Sequence, residues 1–350
     1  MQSLPCSLIR GGSSRGAFFN KTDLPSDTLA RDALLVRAMG GPDELQIDGV
    51  GGGHPLTSKV AIVSPSADDE TDVDYLFLQI SPDEQTVSDT QNCGNLLAGV
   101  GVYALEENML QPTHPTTTVR VRMLNTGAIC HLQMPTPQAV LDLTGDTCID
   151  GVPGTAAAIV CNYLDIAGSA CGALLPTGNI IDEVDGVKIT CLDNGMPVIT
   201  MLARDLGVTG QESPAELDAN SRLKAKLESI RLTMGPRMNL GEVEQKTVPK
   251  LCLLSPPSNG GLVMTRTFIP HVCHKTIGVL GAVSVATACL LPGSVAEGLG
   301  LAPSDLDNPV AIEHPQGSLQ VKLEANHDGD ITKAGIIRTA RMLFKGEIYV

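Results

Sequence analysis

Apolar and polar residues alternate in short runs along most of the chain, the period-two pattern of strands buried on one face. Residues 60–63 follow a glycine-rich loop, and 75–80 alternate after an acidic turn. Residues 119–124 and 128–133 flank Asn125-Thr126-Gly127, which reads as a hairpin. Further strands are predicted at 188–192, 197–202, 251–254, 262–268, 318–323 and 344–350. The three-to-four-residue period of helices is rarer, and predicts helices at 28–39, 94–107, 157–167, 214–234 and 276–291.

Two of these helices, 94–107 and 276–291, are apolar nearly all round and rich in Gly and Ala. A helix apolar on every face is one surrounded by protein. The second is too short to span a bilayer and is read as a core helix. Each follows a polar segment with a cysteine, Gln91-Asn92-Cys93-Gly94-Asn95 and His271-Val272-Cys273-His274-Lys275. Aligning Cys93 with Cys273 superposes Gly99-Val100-Gly101-Val102 on Val279-Leu280-Gly281-Ala282. The expected fold is α+β, with two pseudo-symmetric domains, each a curved, mostly antiparallel sheet wrapped around a central buried helix.

Composition narrows the partners. With 39 acids against 24 Lys and Arg, the net charge of −15 argues against nucleic acid and anionic membrane surfaces. No secretory signal opens the chain, so its ten cysteines are expected to be reduced in a cytoplasmic protein. The charge is uneven. Residues 60–94 carry eight acids and no Lys or Arg, while 250–296 carry no acid but hold Lys250, Arg266, His271, His274 and Lys275. That asymmetry predicts an anionic small-molecule partner received in a positive site within an acidic shell.

Several segments carry candidate chemistry. Cys93 heads a helix, where unpaired N–H groups stabilise a thiolate or a ligand carboxylate. Gly94 permits close approach, and Asn92 and Asn95 supply amides. Arg10-Gly11-Gly12-Ser13-Ser14-Arg15-Gly16 can form an anion-binding nest or a plain strand-to-strand turn. It lacks the ending of a phosphate-binding P-loop. Lys59 stands at a strand entrance after Gly53 and Ser58, where it is either a desolvated base or a solvated edge residue. Residues 49–54 miss the dinucleotide fingerprint, and Gly99-Val100-Gly101 lies inside a helix, where close packing explains it. His271, Cys273 and His274 have no second ligand cluster, so no metal is expected.

Taken together, the segments Arg-Gly-Gly-Ser-Ser-Arg-Gly at 10–16, Ile-Asp-Gly-Val-Gly-Gly-Gly at 47–53 and Thr-Ser-Lys-Val-Ala-Ile at 57–62 resemble the PrpF family. Asp-Val-Asp-Tyr-Leu-Phe at 72–77, Asn-Cys-Gly-Asn at 92–95 and Gly-Val-Pro-Gly-Thr at 151–155 extend the likeness, which runs on to Glu313-His314-Pro315 and the closing Gly346-Glu347-Ile348-Tyr349. The resemblance implies the diaminopimelate-epimerase fold, with domains at 1–140 plus 336–350 and at 141–335 and an active site in the cleft between them. It also implies cofactor-free proton shifts on unsaturated polycarboxylates: aconitate, methylitaconate or 4-oxalomesaconate. Residues 10–18 and 150–157 look most similar to the oxalomesaconate tautomerases of gallate and protocatechuate degradation. The family's catalytic Lys and Cys carry over onto Lys59 and Cys93. Ser13, Ser14, Arg15, Gly53, Ser58, Asn92, Gly94, Asn95, Arg266, His271 and Cys273 are then expected to bind substrate. Cysteine acyl transfer through Cys93, with His54 or His271 as base, and polycarboxylate binding without catalysis are the alternatives from other classes. A homodimer is left open.

Overall fold

A computed structural model of the chain describes residues 2–81, 86–89, 92–164, 166–300, 308–325 and 331–350. In chain order the first elements are β1 (Ser3–Gly11), β2 (Ser14–Asn20), α1 (Thr28–Met39), β3 (Lys59–Pro65), β4 (Val73–Ile80), β5 (Val87–Ser88), α2 (Gly94–Glu106), β6 (Thr116–Met123), β7 (Ile129–Pro135) and β8 (Ile159–Tyr163). There follow β9 (Asp182–Val184), β10 (Val187–Asp193), β11 (Pro197–Leu202), α3 (Pro214–Ala219), α4 (Ser221–Arg237), β12 (Lys250–Ser255), β13 (Val263–Phe268), α5 (Val279–Leu290), β14 (Val310–His314), β15 (Gly317–Ala325), β16 (Ile331–Arg338) and β17 (Ala340–Tyr349). No helix among the described residues is long and apolar enough to cross a membrane.

The chain forms two units, Met1–Leu164 with Ile337–Val350, and Asp165–Ile336. In the first, the strands lie in the order β17, β1, β2, β3, β4, β6, β7, β8, and the steps between neighbours run antiparallel, antiparallel, parallel, antiparallel, parallel, antiparallel, antiparallel. In the second, β9 to β16 lie in chain order with the same series of steps. Each parallel step needs a crossover, and each crossover holds helix: α1 and α2 in one unit, α3–α4 and α5 in the other. The predicted internal repeat is therefore a repeat of topology.

Within the first unit α2 packs against strands from β17 through β3 and against β7 and β8, so the sheet curls around it. Leu96 to Leu105 are all buried. Its glycines permit that closeness. A Cβ on Gly99 would stand 2.7 Å from Phe18 Cζ, and one on Gly101 2.5 Å from Met134 Sδ. The other sheet face packs Leu4, Phe19, Val60, Ile62, Leu78 and Ile80 against Leu35, Val36 and Met39 of α1. In the second unit, α4 covers the outer face with Leu223, Leu227, Ile230 and Met234.

Three expectations are corrected. The apolar run 157–167 forms β8, not a helix; its Ile159 to Tyr163 pair with β7, which brings 141–164 into the first unit. The helix expected at 214–234 breaks at Asn220, whose side chain caps α4 by accepting from the Leu223 N–H. Cys273 does not head a helix: it makes a single β-bridge with Phe268, and Gly278 occupies the N-cap of α5. Cys93 is thus matched in position by Gly278, and the repeat is offset from the cysteine alignment.

Candidate functional site

Most candidate residues of the first unit converge on the N-terminus of α2. Cys93 is its N-cap, with extended backbone and a side chain that makes no capping bond. Its thiol is therefore free for other work beside unpaired helix N–H groups. The β1–β2 hairpin turn, Gly12-Ser13, lies against this helix end. Gly12 has φ +52°, a conformation that favours glycine, and a Cβ there would clash with Asn95 Oδ1. Asn95 Nδ2 donates to Ser13 Oγ at 3.3 Å. The turn is pinned from behind: Gly12 N–H donates to the Thr339 carbonyl, and Arg10 Nη1 donates to Gly12 and Thr339 oxygens at 3.0 Å.

Lys59 opens β3, paired in register with Gly16 on one side and Gln79 on the other. It is 8% exposed. Its Nζ donates to Gln79 Oε1 at 2.6 Å and lies 5.0 Å from the centre of the Phe77 ring. Gln79 is itself held, its Nε2 donating to the Ser58 carbonyl at 2.9 Å and to the Pro55 carbonyl at 3.2 Å. Sequence reading passed over this positioning residue, because one polar position at a strand end carries no distinguishing pattern. Strand periodicity puts Lys59, Tyr75, Phe77 and Gln79 on the face opposite α1, which is the α2 face. A Cβ on Gly16 would meet both the Lys59 carbonyl and Leu96 of the first turn of α2. Lys59 and the helix end at Cys93 thus share one neighbourhood.

Buried polar atoms without a hydrogen-bond partner among the described residues mark the same region: Ser14 Oγ, Arg15 Nε, Asn92 Oδ1, Tyr75 Oη, Tyr163 Oη and Arg338 Nε. Native interiors seldom leave such groups unmatched, so a concentration of them points to a ligand. Tyr75, Tyr163 and Arg338 were missed by sequence reading, as each is a lone polar residue in an ordinary strand pattern. Asn92 Nδ2 is already bonded to Thr126 Oγ1 at 2.6 Å.

Two substrate-binding expectations change character. Gln46 Oε1 accepts from Gly53 N–H at 3.0 Å and from Ser58 Oγ at 2.6 Å. The polar groups of Gly53 and Ser58 are therefore spent on holding the loop before Lys59. Gln46→Leu is expected to leave the buried Ser58 hydroxyl and the half-buried Gly53 N–H unpaired and cost about 1–3 kcal/mol, read as a lower melting temperature.

In the second unit Arg266 and Cys273 are neighbours, both buried. Arg266 Nε donates to the Glu212 carbonyl at 2.7 Å and Nη1 to the Thr265 carbonyl at 2.9 Å, so much of its fork serves the fold. Burial pushes the Cys273 thiol up to about 11, with Asp218 adding to the rise and Arg266 opposing it. His271 is exposed, its Nδ1 3.4 Å from Glu228. Three of the eight acids in the run 60–94 are paired with arginines of the neighbouring strand. Asp72 pairs with Arg120 at 2.7 Å, and Asp68 and Asp74 pair with Arg122 on the same strand, β6.

A family model described as PrpF protein matches residues 1–350. A protein of Pseudomonas putida named 4-oxalomesaconate tautomerase is 54% identical over 347 residues, covering 99% of this chain and 96% of that one. A Novosphingobium protein named (4E)-oxalomesaconate Delta-isomerase is 51% identical over 350 residues, covering 100% and 98%. Among solved structures, methylitaconate-delta-isomerase matches with a TM-score of 0.92 and 33% identity, covering 100% of this chain and 96% of that one.

Proposed function

The chain belongs to the PrpF family, and from that premise we propose that it is a cofactor-independent isomerase that tautomerises 4-oxalomesaconate by a 1,3-proton shift. The observation that carries the reading is a pair of buried groups, Lys59 on the α2-facing side of the sheet and Cys93 at the N-cap of α2. In the proposed step Lys59, as the free amine, takes a proton from the carbon next to the carbonyl. The C–H electron pair moves into a dienolate. Cys93 gives its proton to the far end of the allylic system, and exchange with water resets the resulting ammonium and thiolate. The dienolate's charge is met by unpaired N–H groups at the start of α2. Ser13, Ser14, Arg15, Asn92, Gly94 and Asn95 are the proposed carboxylate contacts of this unit.

Cysteine acyl transfer has less support. His54 Nδ1 accepts from the Leu56 N–H at 3.1 Å, and His271 faces Glu228. The test is ultraviolet absorbance in deuterated water. The keto triacid is expected to become a conjugated dienol with solvent deuterium incorporated and no adduct on Cys93 by mass spectrometry. Aconitate and methylitaconate run in parallel are expected to turn over more slowly. A covalent Cys93 adduct, or binding without spectral change, would sink the proposal.

A further inference from the structure

Equivalent edges of the two units are built differently. β9 and β17 each stand first in the strand order of their unit, paired with β10 and with β1. β9 is three residues long, and a short edge strand is one way in which proteins avoid pairing with another chain. β17 is ten residues long and contains no proline, and among the described residues β1 is the strand it pairs with. Seven of its residues are exposed, Phe344 to 45% and Tyr349 to 68%. A long, partly apolar edge of this kind is a template for an added strand.

The ladder with β1 decides which backbone groups face outward. The Gln2 N–H donates to the Val350 carbonyl at 3.0 Å, and the Val350 N–H to the Gln2 carbonyl at 2.9 Å. Mutually bonded pairs recur at every second residue of an antiparallel ladder. Ile348 opposite Leu4, Gly346 opposite Cys6 and Phe344 opposite Leu8 are therefore bonded inward, and the N–H and C=O groups of Lys345, Glu347 and Tyr349 point out of the edge. Side chains alternate between the two faces. Ile348 packs into the core on the α1 face. Lys345 reaches the C-terminal end of α2, where its Nζ lies 2.8 Å from Glu107 and donates to the Glu106 carbonyl at 3.0 Å. It remains 45% exposed.

We infer that β17 is the seam of a homodimer, in which a second copy of the chain adds its own β17 antiparallel across a two-fold axis at Gly346. That axis brings outward-facing residues opposite one another. It sets Lys345 across from Glu347 of the partner subunit, twice, and places Phe344 beside Ile348 of the partner subunit on the other face. Moving it by one residue sets either Lys345 or Glu347 against its own counterpart, and like charges directly across a ladder are destabilising. At the centre Gly346 has no side chain to hold two strands apart, and the Phe344 ring already lies over it, its Cζ 2.7 Å from where a Cβ would stand. The exposed Leu343 and Tyr349 flank the run at its two ends. The strand is thus complementary to itself in charge, apolar surface and backbone bonding, as a two-fold contact requires. None of these residues belongs to the proposed proton-shift machinery.

The test is analytical ultracentrifugation of the full chain at micromolar concentration, without substrate. The wild type is expected to sediment as a dimer. Glu347→Lys and Lys345→Glu each place two like-charged pairs across the seam, and each should weaken the dimer about tenfold or more. An equimolar mixture of the two variants restores opposite charges at both places, so it should associate about as tightly as the wild type although neither component does. Glu347→Pro removes an outward-pointing N–H while leaving the ladder with β1 intact, and should sediment as a monomer. A monomeric wild type overturns the seam, as does a dimer that both charge variants leave unchanged, or a mixture no tighter than its components. Should Lys345→Glu fail to fold beside Glu107, Glu347→Lys and Glu347→Pro decide. Sedimentation is read without turnover, so the outcome stands whether or not the chain isomerises any of the three acids.

Discussion

Lys59→Met is expected to lower kcat by about 10²- to 10⁴-fold while KM stays near its wild-type value, since the lost interaction belongs to the transition state. Methionine keeps a linear apolar stem but removes the amine that lies 5.0 Å from the centre of the Phe77 ring. Gln79 Oε1 loses its donor, so stability should fall by about 1–3 kcal/mol, checked by thermal melting. Cys93→Ala should reduce turnover comparably, but the two variants differ in deuterated water. With Lys59 intact, Cys93→Ala still removes the proton next to the carbonyl, and that position exchanges without double-bond migration. Lys59→Met loses both. The reverse pattern would exchange the two roles, and normal turnover in both variants would remove them from the chemistry. The double variant should be little worse than the weaker single one, because the two act as a unit.

The parts legible in the sequence were those written in contiguous residues. α1 was read to its observed bounds because its apolar positions recur at helical spacing and Asp27 and Gly40 cap it. The core helices were legible as all-round apolar runs, and most of the longer strands as alternation. β8 was not, because a short apolar run has no period to separate helix from strand; its identity comes from pairing with β7. The site divides in the same way. Cys93 and the hairpin turn lie in compact motifs, and a resemblance carried Lys59. Gln79, Tyr75, Tyr163 and Arg338 are assembled by sheet register, and Arg338 reaches the group only because the chain's end returns to the first unit. Gln46 engages the Gly53 N–H and the Ser58 hydroxyl from a separate part of the loop, a contact that no local motif displays.

Gly11→Ala is expected to cost more activity than any other single methyl group added outside the reacting residues. Gly11 ends β1, facing Ser14 across the hairpin and Ala340 on the opposite side. A Cβ there would stand 2.5 Å from the Asn95 carbonyl oxygen, 3.0 Å from Leu96 Cα and 3.2 Å from Gly99 N. All three are backbone atoms of the first turns of α2, so no side chain can swing aside. Either the hairpin or the helix end must shift, by about 1 Å, and overpacking of this kind costs about 1–3 kcal/mol. The displaced parts are those that hold Cys93, Asn95 and Ser13 together, and a misplacement of about 1 Å typically costs about 10²-fold in rate. Gly11→Ala should therefore melt lower and lose about 10²-fold in kcat/KM. Gly186→Ala is the contrast. That glycine turns between β9 and β10 with φ +74° and nothing within 4 Å, so alanine there strains only the backbone of a hairpin in the second unit. It should lower stability by about 1 kcal/mol and leave turnover unchanged. Wild-type turnover by Gly11→Ala would mean that the helix end does not need its seat on the hairpin, and that Cys93 is held in place by other contacts.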